Sequence, residues 1–130
     1  MKREIIKAVK NYSKVMFDKE IKVVENFELE NCRISSIVIS NDEYELIFYI
    51  NIEYKSLKNI SNILFGYIQE ELIVDLQKEI VNTIGGYFAD NFYKTNYSLS
   101  IPKIEQICDT KNAIFFQNEI IKMSVKLKVK

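Results

Sequence analysis

The chain predicts an α+β fold with a largely antiparallel sheet, in the order helix, three strands, two helices, three strands (α-βββ-αα-βββ). Three observations carry this. Apolar residues recur at helical spacing near both ends of the first 92 residues. Strict alternation marks residues 44–52 as a strand. Breakers are few, with three glycines and one proline in 130 residues, and no linker or low-complexity tract interrupts the pattern. A single domain over residues 1–130 is expected, long enough for one real core.

The elements follow in order. Residues 2–16 form an amphipathic helix, with Ile5, Val9, Tyr12 and Met16 on one face and Lys7, Lys10 and Lys14 off it. Residues 21–29, 33–39 and 44–52 read as strands. In the third, Tyr44, Leu46, Phe48, Ile50 and Ile52 alternate with Glu45, Ile47, Tyr49 and Asn51, after turn chemistry at Asn41-Asp42. Ser56 can cap a helix in which Leu57, Ile60, Ile63 and Leu64 recur up to Gly66. A longer helix spans about Gln69 to Phe92, with Glu70 and Glu71 in the dipole-favoured first turn. Strands follow near 97–104, 112–117 and 120–129, the last two joined at Gln117-Asn118-Glu119. The final strand carries Met123, Val125, Leu127 and Val129 on one face and Lys126, Lys128 and Lys130 on the other, as a half-buried strand with protective lysines does.

Composition excludes several function classes. With 18 basic and 18 acidic residues the formal charge is zero, so no phosphate backbone is an expected partner. There is no histidine, hence no Ser-His or Cys-His catalytic pair. Cys32 and Cys108 make neither a zinc site nor a disulfide framework, and the expectation is two reduced, packed thiols. No secretory apolar core follows Met1-Lys-Arg, and no apolar run approaches the about 20 residues that cross a bilayer. A cytoplasmic protein without membrane contact is expected.

The chemistry concentrates in the long helix. On a wheel of about 100° per residue, Ile73, Leu76, Ile80, Ile84, Tyr87 and Phe88 make a core face. Asp75, Glu79, Asn82 and Gly86 fall within roughly 60° of one another on the far side. Solvation alone accounts for Asp and Glu there. It does not require Asn in mid-helix or the Gly85-Gly86 pair, which costs about 1 kcal/mol per glycine relative to Ala. Gly86, one turn beyond Asn82, removes bulk so that another backbone can approach, while a helix end at Gly85 is the structural alternative.

Asp75, Glu79 and Asn82, with the later Pro102, resemble the motif of the CheC/CheX/FliY family of chemotaxis phosphatases, especially its CheX-type members. Glu79-Ile-Val-Asn82-Thr-Ile-Gly-Gly, Leu99-Ser-Ile-Pro102 and Asn62-Ile-Leu-Phe-Gly66 resemble the family's segments around the motif, and the match covers about residues 44–104. Nineteen residues separate Asn82 from Pro102, fewer than the family's usual run, which a short loop around Tyr93–Tyr97 accommodates.

The resemblance implies a CheC-like fold and a protein substrate: a phosphorylated, CheY-like response regulator. Asn82 would hold the attacking water in line with the regulator's aspartyl phosphate, a carboxamide both donating and accepting without titrating. Glu79 would pair with the regulator's lysine, and Asp75 and Gly86 would support docking. The protein would need no cofactor or metal of its own, because magnesium belongs to the regulator. Glu4 is followed three positions later by Lys7 where a second motif would need Asn, so one active site per chain is expected. A homodimer is implied as well. The alternative is a CheX-like module that binds a regulator or flagellar component without hydrolysis.

Overall fold

A computed structural model describes residues 1–94 and 96–130. Helix α1 (Lys2–Phe17) leads into strands β1 (Lys22–Val24), β2 (Cys32–Ser40) and β3 (Glu45–Glu53). Helices α2 (Tyr54–Phe65) and α3 (Glu70–Phe92) follow, then β4 (Ser98–Leu99), β5 (Lys103–Glu105), β6 (Ile114–Gln117) and β7 (Lys122–Val129). The fold is α+β as the sequence predicts, and every strand pairing is antiparallel. The sheet runs β1-β6-β7-β3-β2-β4, with β5 also on β2.

Alternation decides which face of the sheet meets the helices. Leu46, Phe48, Ile50 and Ile52 of β3 are buried with Ile37 and Ile39 of β2 and Met123 and Val125 of β7. From the helices come Ile5, Val9 and Tyr12 of α1, Leu57 and Ile60 of α2, and Ile73, Leu76, Ile80, Ile84 and Phe88 of α3. The last five are five of the six residues on the expected core face; Tyr87 packs at its margin.

Several local expectations change. The expected strand at 97–104 is two short pieces: Ser100 still donates its N–H to Val38 O at 2.9 Å, but Pro102 has no N–H for a ladder and the pairing resumes only at Lys103. The expected strand over 21–29 keeps only three residues. Ser56 is not the cap of α2. The helix starts two residues earlier, and the buried Ser56 hydroxyl accepts from Lys122 N–H at 2.8 Å instead. The alternative of a helix end at Gly85 fails, since α3 runs unbroken to Phe92. The expected short loop at Tyr93–Tyr97 includes Thr95, which lies outside the described residues; Lys94 and Asn96 beside it have φ of 68° and 61°.

The cysteines also depart from expectation. Cys32 and Cys108 form a disulfide, their Cα atoms 6.4 Å apart. Their sequence separation of 76 left no spacing signal; the pairing of β5 with β2 brings them together. The loop beyond Cys108 is pinned again at Asp109. Its backbone N–H donates to Asn51 Oδ1 at 3.1 Å, and its carbonyl accepts from Asn51 Nδ2 at 3.0 Å. Its carboxylate meets Lys126 at 2.6 Å and Lys128 at 3.4 Å, so two lysines of the final strand hold a loop onto the sheet.

The hydrogen bond from Lys126 is the main reason the Asp109 carboxyl lies below its usual range. A depressed carboxylate stabilises the fold above its unfolded value, near about pH 4, and loses that contribution as pH falls through the folded value. Asp109→Asn should therefore be less stable than wild type near neutrality, with the difference closing below about pH 4. Urea melts at a series of pH values measure this. A difference that persists unchanged into acid would refute the ion-pair account.

Candidate functional site

Helix α3 is seated on the sheet by a missing side chain. A Cβ on Gly85 would stand 2.3 Å from Ile37 Cδ1 and 3.2 Å from its Cγ1. A side chain at Gly85 would force the buried Ile37 side chain to shift. Gly86 differs: a Cβ there would make ordinary contact, 3.8 Å from Leu99 Cδ1. The close approach thus belongs to Gly85, whereas Gly86 leaves a shallow space between the helix and the β4 end.

With Gly85 against β2 and Ile73, Leu76, Ile80 and Ile84 buried, the rotation of α3 is fixed and so is the face that it leaves outside. Asp75, Glu79 and Asn82 are all exposed there, and Gly86 is half-buried beside Leu99. The structure brings the four predicted residues into one lane, at i, i+4, i+7 and i+11. Among the described residues, the side chains of Asp75, Glu79 and Asn82 make no hydrogen bond or ion pair within the chain. Their polar atoms are available to a partner.

The first turn of the same helix is not free. Glu70 accepts from the Arg33 guanidinium at 2.6 Å and from the Tyr54 hydroxyl at 3.1 Å. Arg33 in turn lies over the Tyr54 ring, 4.6 Å from its centroid. The Arg33 hydrogen bond holds the Glu70 carboxyl below its ordinary range. Glu70 is thus committed to holding the start of α3, in contrast to the unpaired carboxylates after it.

Tyr12 of α1 is a neighbour that the sequence pattern placed only in the core. It is buried, and its phenol is pushed well above its usual range, first by burial, then by the negative charge of Glu79, then by Tyr87. The Glu79 carboxylate therefore stands over the α1–α3 seam. On the other flank lie Leu99 and the Ser100–Pro102 segment, where Ile101 is 88% exposed. A cleft of about 730 Å³ runs along α1, lined by Arg3, Lys7, Lys10 and Lys14, and does not include the lane. Among the described residues, no cluster of three or more acidic, Cys or His side chains is arranged to hold a metal. An exposed carboxylate and carboxamide on a helix can enter another molecule's cleft; they do not enclose a small molecule themselves.

No protein-family profile matches the chain, and neither does any curated protein sequence. Solved structures do. The chemotaxis protein CheX from Vibrio vulnificus superposes with a TM-score of 0.81 at 13% identity, covering 98% of this chain and 95% of that one. This chain has the CheX fold. A CheC-like superfamily protein from a Shewanella species gives 0.76 at 16% identity, covering 98% and 96%. The CheX of a CheX-CheY-BeF3-magnesium complex from Borrelia burgdorferi gives 0.75 at 11%, again covering 98% and 96%. The CheX fold extends over the N-terminal third as well, where the sequence resembled that family only in the order of its elements. No helix of the described residues is long and apolar enough to cross a membrane.

The two glycines make opposite predictions. Gly85→Ala should cost about 1–2 kcal/mol, overpacking against Ile37 exceeding the helix-propensity gain. Gly86→Ala should be neutral or stabilising by up to about 1 kcal/mol. Urea denaturation of both variants checks this, and equal stabilities would contradict the close seat at Gly85.

Proposed function

We propose that this CheX-fold protein is a phosphatase acting on the aspartyl phosphate of a CheY-like response regulator in chemotaxis signalling. One observation carries the reading: Glu79 and Asn82 stand exposed, one turn apart and without a partner among the described residues, on the outward face of a helix seated on the sheet. The CheX from Borrelia burgdorferi, which shares the fold, forms a complex with CheY, beryllofluoride and magnesium.

The division of labour follows from side-chain chemistry. The phosphoryl group and its magnesium belong to the regulator, so the phosphatase has only to place a water in line with the scissile bond. Asn82 does this by accepting from the water while its N–H2 group donates toward the phosphoryl oxygens. Glu79, on the α1–α3 seam near Tyr12, pairs with the regulator's lysine and sets how deeply Asn82 enters. Asp75 supports docking at the next turn, and the shallow space at Gly86 admits the regulator's backbone. No metal or cofactor of this chain takes part. The same reading places the protein in the cytoplasm with its regulator and as a homodimer, for which β1 offers a short sheet edge.

The test is phosphate loss from an acetyl-phosphate-labelled CheY-like regulator with and without the protein. Asn82→Ala should lower the accelerated rate by about 10²–10³ while the complex still forms, the usual scale for losing one transition-state hydrogen-bonding group. Glu79→Ala should raise KM more than it lowers kcat. Binding of the regulator by wild type with no acceleration would overturn the phosphatase and leave a binding module. Full activity in Asn82→Ala would remove the water-positioning role.

A further inference from the structure

Every residue from Asn62 to Glu71 is exposed. Five of these ten are large and apolar: Ile63 (54% exposed), Leu64 (37%), Phe65 (47%), Tyr67 (52%) and Ile68 (41%). At helical spacing Ile63 and Leu64 belong with the core residues Leu57 and Ile60, yet they stand in solvent at the end of α2. The turn that presents them is built. Gly66 closes the helix at φ 78°, its N–H donating to Asn62 O at 2.9 Å. The fully buried Ser61 donates its hydroxyl to Tyr67 O at 2.7 Å. A contiguous apolar patch on an ordered turn marks an interaction surface, and its rigidity lowers the entropy cost of binding.

Charge selects the occupant. From Ile63 to Glu79 there are four carboxylates and one lysine, Lys78. Glu70 is taken by Arg33, but Glu71, Asp75 and Glu79 continue the lane toward Asn82. A second copy docking symmetrically through this surface would set like charges against each other. An anionic lipid surface would be repelled for the same reason. The surface suits an apolar patch bordered by lysine or arginine. Glu70, two residues beyond Ile68, and Glu79 are about 14 Å apart along the axis of α3, within the span of one ordinary protein interface.

We infer that the α2–α3 turn, through Phe65, Tyr67 and Ile68 with Glu71 at its rim, is a second docking surface for the same regulator that meets Glu79 and Asn82. The inference rests on the phosphatase reading for the identity of that partner. Asn82 and Glu79 supply the reaction, and the turn supplies affinity and selects which regulator is served. Aromatic anchors beside a small charged site are the usual arrangement of interface energy.

The experiment compares wild type with the double variant Phe65→Ser, Ile68→Ser and, separately, Glu71→Lys. The probes are a CheY-like regulator loaded with beryllofluoride and magnesium for Kd, and the acetyl-phosphate-labelled regulator for turnover. The double variant should raise Kd and KM at least about tenfold and leave kcat within about twofold. Glu71→Lys should weaken binding several-fold and flatten its salt dependence. Wild-type binding and hydrolysis with unchanged Kd in the double variant would overturn the docking surface while the phosphatase stands. Neither binding nor hydrolysis by wild type overturns both. A dimer lost in the double variant at unaltered regulator affinity would assign the turn to a second copy instead. Should thermal melting show the double variant unfolded, Glu71→Lys alone decides, and an unchanged Kd refutes the surface.

Discussion

The contact between Gly85 and Ile37 is the constraint on which the rest of the molecule depends. It sets the distance of α3 from the sheet and, because a helix is rigid about its axis, the rotation of every other side chain on it. Phe48 and Phe88 then pack at a 5.4 Å centroid separation, their rings tilted by 38°, beside the same seam. With Ile73, Leu76, Ile80 and Ile84 buried against the sheet as well, Asp75, Glu79 and Asn82 face outward. The candidate site is thus a by-product of packing: what looks like a surface feature is positioned by the core beneath it.

That arrangement separates two tasks along one helix. The inner face is apolar, except at Gln77, whose buried side-chain amide finds no partner among the described residues. The outer face beyond the first turn is polar, and among the described residues Asp75, Glu79 and Asn82 have no partner there. A carboxamide used to orient water needs such a mounting, since its value lies in geometry and small displacements cost much of it. Placing the lane on a 23-residue helix supplies that precision more reliably than a loop would.

Much of this was legible in the residues. The periods of α3 and β3 placed their core faces correctly, because both elements are long and their apolar residues recur without interruption. The lane of Asp75, Glu79 and Asn82 was legible for the same reason. The failures have physical causes. Leu57 and Ile60 predict that Ile63 and Leu64 are also buried, but the last turn of α2 stands exposed among the described residues. Ser56 has cap chemistry, yet its hydroxyl serves a strand far along the chain. Tyr12 reads as one more core residue, and only the packing of α1 on α3 sets it beside Glu79. Long-range pairing decided each of these, and a single sequence records such pairing only indirectly.

The disulfide has a topological consequence. Cys32 and Cys108 close a covalent ring that holds β2, β3, α2, α3, β4 and β5, with the proposed site and the exposed α2–α3 turn inside it. Helix α1 and strands β1, β6 and β7 hang outside as tails. A protease that cuts the exposed stretch of Asn62–Glu71 therefore opens the ring without releasing a fragment. The two new ends remain tethered through the sulfur bridge, and a nicked molecule keeps its mass until a dithiol separates it.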